Sequence, residues 1–189
     1  MTFARRLPVG IAVLAILTAC GADDDSNTVR GRGLNVSQLS AIARAHVYEA
    51  ALRAAFDVDD PSLSLLLDSR ELPRGVGLAP GGTIPDTTTS EMRRRGVTKG
   101  ACQPPLEGKR GPTRCSAALP GYVVRFSPVF MLRGDSVQVY LYAQKYDTPG
   151  SAVTERLRFE RAYQVVRRGD DWRAVREGRV PKEIRGEPK

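Results

Sequence analysis

The sequence predicts an α+β fold: one N-terminal helix packed on a curved, four- to five-stranded antiparallel meander, with a long Gly/Pro-rich loop between them. Three observations carry this. Apolar residues recur at helical spacing across residues 35–56. Residues 136–146 alternate at period two, inside a block punctuated by Gly-Asp turns. Gly and Pro concentrate in residues 73–120. One helix followed by a run of strands is the pattern of segregated α and β layers.

The helix is expected from Asn35 to Phe56, with Asn35 as N-cap and Gln38 three residues later, as in a capping box. Its apolar stripe is Leu39, Ile42, Ala43, Val47, Ala50 and Ala54, and His46 falls at the edge of that stripe. Asp60-Pro61 stops the helix, because the residue before proline disfavours the α region. Ser62–Leu67 reads as a short strand or a helical turn. Residues 73–120 read as a surface excursion with one helical turn at Glu91–Arg95, capped by Thr88 or Ser90 and ended by Gly96. Tyr122–Arg133 is a strand with a bulge or edge position at Pro128. Gly134-Asp135 turns the chain into Ser136–Tyr146, where Val137, Val139, Leu141 and Ala143 share one face and Gln138, Tyr140, Tyr142 and Gln144 the other. Val153–Arg168 is the next strand, with Leu157, Phe159, Tyr163 and Val165 on one face. Gly169-Asp170 turns into Trp172–Val180, and Trp172 is the expected core anchor.

The N-terminus has its own logic. Arg5 and Arg6 precede an apolar run from Leu7 to Thr18, too short for a membrane span of roughly 20 residues. Leu17-Thr18-Ala19-Cys20 follows at once. This segment resembles the lipobox of bacterial lipoproteins, in which the chain is cut before a diacylated cysteine. The resemblance implies lipidation of Cys20 and anchoring in the cell envelope. With Gly21 rather than Asp after the cysteine, it implies the outer membrane, facing the periplasm. Stable anchoring needs two or more acyl chains, which such processing supplies. The expected organisation is a signal peptide at 1–19, a lipidated cysteine and flexible tether at 20–33, a single domain at 34–182 and a disordered tail at 183–189. With Cys20 assigned to lipid, the remaining two of the three cysteines, Cys102 and Cys115, form an even pair suited to a disulfide in an oxidising compartment.

Composition narrows the function. The chain has 189 residues with 29 Lys+Arg against 21 Asp+Glu, a formal charge of +8. Removing Arg5 and Arg6 leaves +6 on the mature chain. An exported chain with basic residues spread along its length argues against nucleic acid. The candidate partners are the membrane through the N-terminal lipid, another envelope protein, or an anionic surface. Only Arg93-Arg94-Arg95 forms a cluster.

Motifs for chemistry are lacking. Gly75–Gly82 has neither phosphate-loop nor dinucleotide spacing. Asp57, Asp59 and Asp60 lack the Gly and Glu of a calcium loop. His46 is the single histidine, and no zinc or nucleophile pattern surrounds it. The expected metal, cofactor and catalytic sets are therefore empty. Two Arg-Gly-Asp triplets, at 133–135 and 168–170, sit where tight turns require Gly-Asp.

The order of elements also resembles a cystatin-like or NTF2-like roll, from Leu34 to Val180. That resemblance implies a sheet wrapped around one helix, and a pocket on its concave face lined by His46, Tyr140, Tyr142 and Tyr163. The sequence thus supports two functional expectations. One is a non-enzymatic structural or interaction module on the membrane. The other is a small-ligand-binding or enzymatic roll.

Overall fold

The computed structural model describes residues 36–72, 82–103, 114–115, 121–146 and 158–180. The signal peptide, Cys20, the tether, Asn35, most of the Gly75–Gly82 loop and the C-terminal tail lie outside these residues. The fold is α+β, with two helices and a mixed sheet rather than one helix and a purely antiparallel one. The helices are α1 (Ala41–Ala55) and α2 (Asp86–Arg94). The strands are β1 (Ser64–Leu67), β2 (Gly100–Gln103), β3 (Arg114–Cys115), β4 (Gly121–Phe126), β5 (Phe130–Met131), β6 (Ser136–Tyr146), β7 (Arg158–Arg168) and β8 (Asp171–Gly178). Their order across the sheet is β3-β2-β1-β4-β6-β7-β8, with β5 beside β6.

The expected antiparallel meander is present as β4/β5–β6–β7–β8. β4 and β5 are one strand interrupted by a bulge at Ser127–Val129, which is where Pro128 called for one. Proline cannot donate to the ladder, and a bulge removes the need. Ser127 fastens the bulge: its backbone N–H donates to the Tyr140 carbonyl at 3.0 Å, and its hydroxyl accepts from the Tyr140 N–H at 2.9 Å. Gly134 and Gly169 take positive φ of 64° at the two hairpin turns, a conformation that L side chains resist. The Arg-Gly-Asp triplets therefore answer to turn geometry.

The departure from the expected sheet comes from residues 62–103. β1 runs parallel to both β4 and β2, and α2 crosses between β1 and β2. This is a parallel strand–helix–strand unit, which needs a crossover of a dozen or more residues. The segment taken for a surface excursion supplies that crossover. Its Ile84, Met92 and Val97 are buried in the main core. α2 is also longer than the single turn expected. It starts after its N-cap Pro85, where proline's missing N–H is no loss, and is followed by Gly96 with φ 73°. β1 is buried at all four positions because both faces are covered, so it shows no alternation to read.

α1 begins at Ser40, whose hydroxyl accepts from the Ala43 N–H at 3.2 Å, rather than at Asn35. Residues 36 and 37 are extended instead: Val36 bridges Phe130, and the Ser37 N–H donates to the Val129 carbonyl at 2.7 Å. The buried stripe is Ala45, Tyr48 and Leu52 with Val47 and Ala51, while Ile42 is 58% exposed and Ala54 is exposed. The expected stripe was rotated because the buried side of the helix includes Tyr48, packed toward the sheet, and Glu49, packed toward α2, which count as polar in a periodicity.

The core lies between α1 and one sheet face. Val137, Val139, Leu141 and Ala143 of β6 point into it, as their alternation required, together with Phe126, Tyr163 and Val165. Trp172 packs against this core but is only half-buried. The Tyr48 ring stacks on Phe126 with centroids 4.2 Å apart and planes within 8°, a contact contributing about 0.5–1.5 kcal/mol beyond area burial. A second, smaller cluster covers the opposite sheet face: Phe130, Tyr140, Ala162 and Val180, with Val36 and Leu72 against them. No described helix is long and apolar enough to cross a membrane.

Candidate functional site

The four residues expected to line a pocket do not converge. Tyr163 is in the core between α1 and the sheet, 1% exposed. Tyr140 is on the opposite face, in the small cluster, its ring 5.7 Å from that of Phe130 and its hydroxyl against the Gln138 amide. Tyr142 shares the face of Tyr140 by strand alternation and is half-buried. His46 is half-buried on α1, on the side toward Glu91 of α2. The sheet separates Tyr140 and Tyr142 from Tyr163. The space between α1 and the sheet is occupied by Tyr48, Leu52, Phe126, Val139 and Leu141. Burial, reinforced by Glu177, raises the Tyr163 phenol well above the ordinary range, and burial reinforced by Glu71 does the same for Tyr48. Both therefore stay protonated at neutral pH.

The densest charged cluster is one the sequence reading passed over. It forms where the chain runs on from β1 alongside β4. The Asp68 carboxylate, almost fully covered, accepts from Arg70 Nε at 3.0 Å and Nη2 at 2.6 Å, and from the Arg70 backbone N–H at 3.1 Å. Arg125 Nε lies 3.7 Å from the same carboxylate and donates to the Arg70 carbonyl, while its Nη2 donates to the Glu71 carbonyl, both at 3.3 Å. Burial pulls the Arg125 pKa down, against the opposing pull of Asp68. On the other side of the strand, Glu71 is 6% exposed and faces Arg44 of α1 at 3.7 Å. The geometry is that of a clamp: fork-to-carboxylate pairing fixes the strand end, and Arg125 ties it to β4. The available signal was a charge inside an apolar run, as in Leu65-Leu66-Leu67-Asp68 and in Val123-Val124-Arg125-Phe126.

A second ionic seam joins the helices. Glu49, buried on α1, receives Arg95 from the end of α2 and Arg53 one turn along its own helix at 2.9 Å. Burial alone would raise its pKa; the two guanidiniums outweigh burial and lower it. Arg53 also reaches Asp59 at 2.8 Å, and Arg94 pairs with Glu91 at 2.6 Å. Two members of the arginine triplet are therefore engaged within the helix layer. The acidic trio past α1 is divided in the same way: Arg53 engages Asp59, and the Asp60 carboxylate accepts from the Ser62 N–H and hydroxyl. A shallow open depression of about 500 Å3 lies there, walled by Arg53, Phe56, Asp57, Val58 and Asp59.

Cys102 is disulfide-bonded, and the β2–β3 ladder sets Cys115 directly opposite it. Among the described residues no cluster of His, Cys, Asp or Glu is arranged to hold a metal ion. No known protein family, curated protein or solved structure matches this chain.

Proposed function

We propose that this chain is a bacterial envelope lipoprotein, held through a lipidated Cys20 to the outer membrane and facing the periplasm, whose domain serves as a structural or interaction module. The observation that carries the reading is Leu17-Thr18-Ala19-Cys20, placed directly after a basic and apolar leader. A disulfide between Cys102 and Cys115 belongs to the same proposal, since it fits an oxidising compartment. The non-enzymatic part is supported by how the ionisable groups are used. Asp68, Glu49, Glu91 and Asp59 are each engaged by an arginine. Tyr48 and Tyr163 are held protonated by burial.

The alternative is a ligand-binding NTF2-like roll. α1 lying along the meander supports the roll. The buried Tyr163 hydroxyl, which lacks a hydrogen-bond partner among the described residues, favours a ligand.

The test is metabolic labelling of the full chain, expressed in a bacterium, with an alkyne-bearing fatty acid. The wild type should take up label and sediment with membranes. Cys20→Ser should lose the label and accumulate uncleaved. An unlabelled wild type recovered as a free periplasmic protein would refute the anchor. Turnover of a small substrate, lost in Tyr163→Phe, would favour the roll as an enzyme.

A further inference from the structure

The arginines of this domain fall into two classes. In the helix layer Arg44, Arg53, Arg94 and Arg95 each meet a carboxylate. At the outer edge of the sheet Arg161 meets Glu177, but three further arginines differ. Residues paired across an antiparallel ladder point to the same face. The register Val166↔Arg173 and Gln164↔Arg176 places Arg173 and Arg176 on the face of β7 and β8 turned away from α1, and Arg168 shares that face by alternation. All three are exposed. The guanidiniums of Arg168 and Arg176 make no hydrogen bond or ion pair with any described residue, and that of Arg173 has only a long contact of 3.9 Å to exposed Asp171. The acids of this hairpin are Glu160, Asp170, Asp171 and Glu177: Asp171, paired with Arg168, and half-buried Glu160, paired with Tyr142, share the face, while Asp170 lies 3.8 Å from Arg167 and Glu177 meets Arg161.

The chain enters the domain on the same face. Val36, the first described residue, packs against the cluster of Phe130, Tyr140, Ala162 and Val180, on the side of the sheet away from α1. Residues 21–35 connect it to Cys20. On the lipoprotein reading these residues are the tether, for which a typical reach is roughly 20 Å. A lipid at Cys20 would therefore keep this face within reach of the headgroups at high effective concentration.

We infer that the sheet face bearing Arg168, Arg173 and Arg176 docks on anionic phospholipid headgroups of the membrane that holds Cys20. The inference rests on the lipoprotein reading. The guanidinium fork suits phosphate oxygens, which it can meet with two parallel N–H donors. Each cation at an anionic surface strengthens docking about fivefold, so three together contribute about a hundredfold.

The test uses the full lipidated chain, incorporated into vesicles of phosphatidylcholine alone or of phosphatidylcholine with phosphatidylglycerol. Flotation with the neutral vesicles reads the lipid anchor. Arginine modification followed by mass spectrometry reads docking. Arg168, Arg173 and Arg176 should be modified at least several-fold more slowly on the phosphatidylglycerol vesicles, with the protection removed by high salt. Exposed Arg93 of α2 should react equally on both. The variant R168Q/R173Q/R176Q should still float, and the β7–β8 turn amides should lose their lipid-dependent protection from hydrogen exchange. Equal modification on both vesicles, with flotation intact, overturns the docking face and leaves the anchor standing. Protection in native envelopes but not on pure lipid also overturns it, in favour of a protein partner. If the chain fails to float on neutral vesicles, the anchor reading falls. Flotation on phosphatidylglycerol alone then still supports the docking face, and its absence refutes it.

Discussion

Replacing two buried tyrosines by phenylalanine should move stability in opposite directions. Tyr48 and Tyr163 are both covered, at 0% and 1% exposure. The Tyr48 hydroxyl donates to the Ser127 carbonyl at 3.1 Å, and its ring stacks on Phe126. Tyr48→Phe keeps the ring and strips a buried carbonyl of its side-chain donor, so it should cost about 1–2 kcal/mol. The Tyr163 hydroxyl has no hydrogen-bond partner among the described residues. An unpaired hydroxyl out of water costs about 1–3 kcal/mol on the scale set by protein substitutions. Tyr163→Phe removes that group with almost no change in shape and should stabilise by about 0.5–2 kcal/mol. Urea titration followed by circular dichroism separates the cases. With a slope of about 2 kcal/mol per molar urea, each kcal/mol moves the midpoint by about 0.5 M at unchanged slope. A fall in midpoint for Tyr163→Phe as large as that for Tyr48→Phe would refute the reasoning, because it would mean that the Tyr163 phenol is bonded in the folded protein.

Gly121→Ala should be among the most damaging single changes. A Cβ there would meet the Ser64 backbone carbonyl at 1.9 Å, so β1 and β4 would have to separate; a loss of about 2–4 kcal/mol is expected in the same titration. Glu49 makes stability sensitive to acid. Its folded pKa is lowered from 4.5, so the stabilisation is fully present above that value and is lost as pH falls through the depressed pKa. Thermal melts should show Glu49→Gln less stable than wild type at pH 7, with the gap closing at the most acid pH. A constant gap would show that the charge is irrelevant. Cys102→Ser, or reduction, should lower stability by about 3 kcal/mol if Cys115 closes the loop, and Cys115→Ser should match it. Unequal losses would argue against the pairing.

The meander was legible because its information is local. β6 alternates between a core face and a second face, and Gly134 and Gly169 mark turns that need positive φ. Pro128 likewise announced a bulge or an edge position by a rule of single-residue chemistry, and the bulge is what the register shows. The parallel unit was not legible. β1 is four buried residues with no alternation, and its neighbours come from residues 100–103 and 121–126, so nothing within the segment states its pairing. The rotated stripe of α1 has a related cause. Tyr48 and Glu49 are buried because Ser127, Arg95 and Arg53, distant or one turn away, satisfy their polar atoms. A periodicity that scores residues singly counts them as surface. The four candidate pocket residues were separated by register: the pairing Val139↔Tyr163 puts Tyr163 on the face of Val139, opposite that of Tyr140.

The arginines at the sheet edge have a competing explanation. Edge strands expose unpaired backbone groups, and charged side chains and bulges suppress pairing with another chain. β8 has both devices: a register shift opposite Gln164 and Val165, and exposed Arg173 and Arg176. Edge protection therefore accounts for those two residues without any membrane. Arg168 lies on β7 rather than on the β8 edge, past the last β6 pairing at Val166↔Ser136 and next to the hairpin turn, so protection of the β8 edge accounts for it least. The two explanations separate at that position. Arg168→Gln should leave the protein as soluble and monomeric as wild type and should weaken lipid docking about fivefold. Arg176→Gln, which alters the edge itself, is expected to affect both. If Arg168→Gln changes solubility and leaves vesicle-dependent protection untouched, the basic face exists to keep the chain from its own copies, and the docking argument fails at its most specific residue.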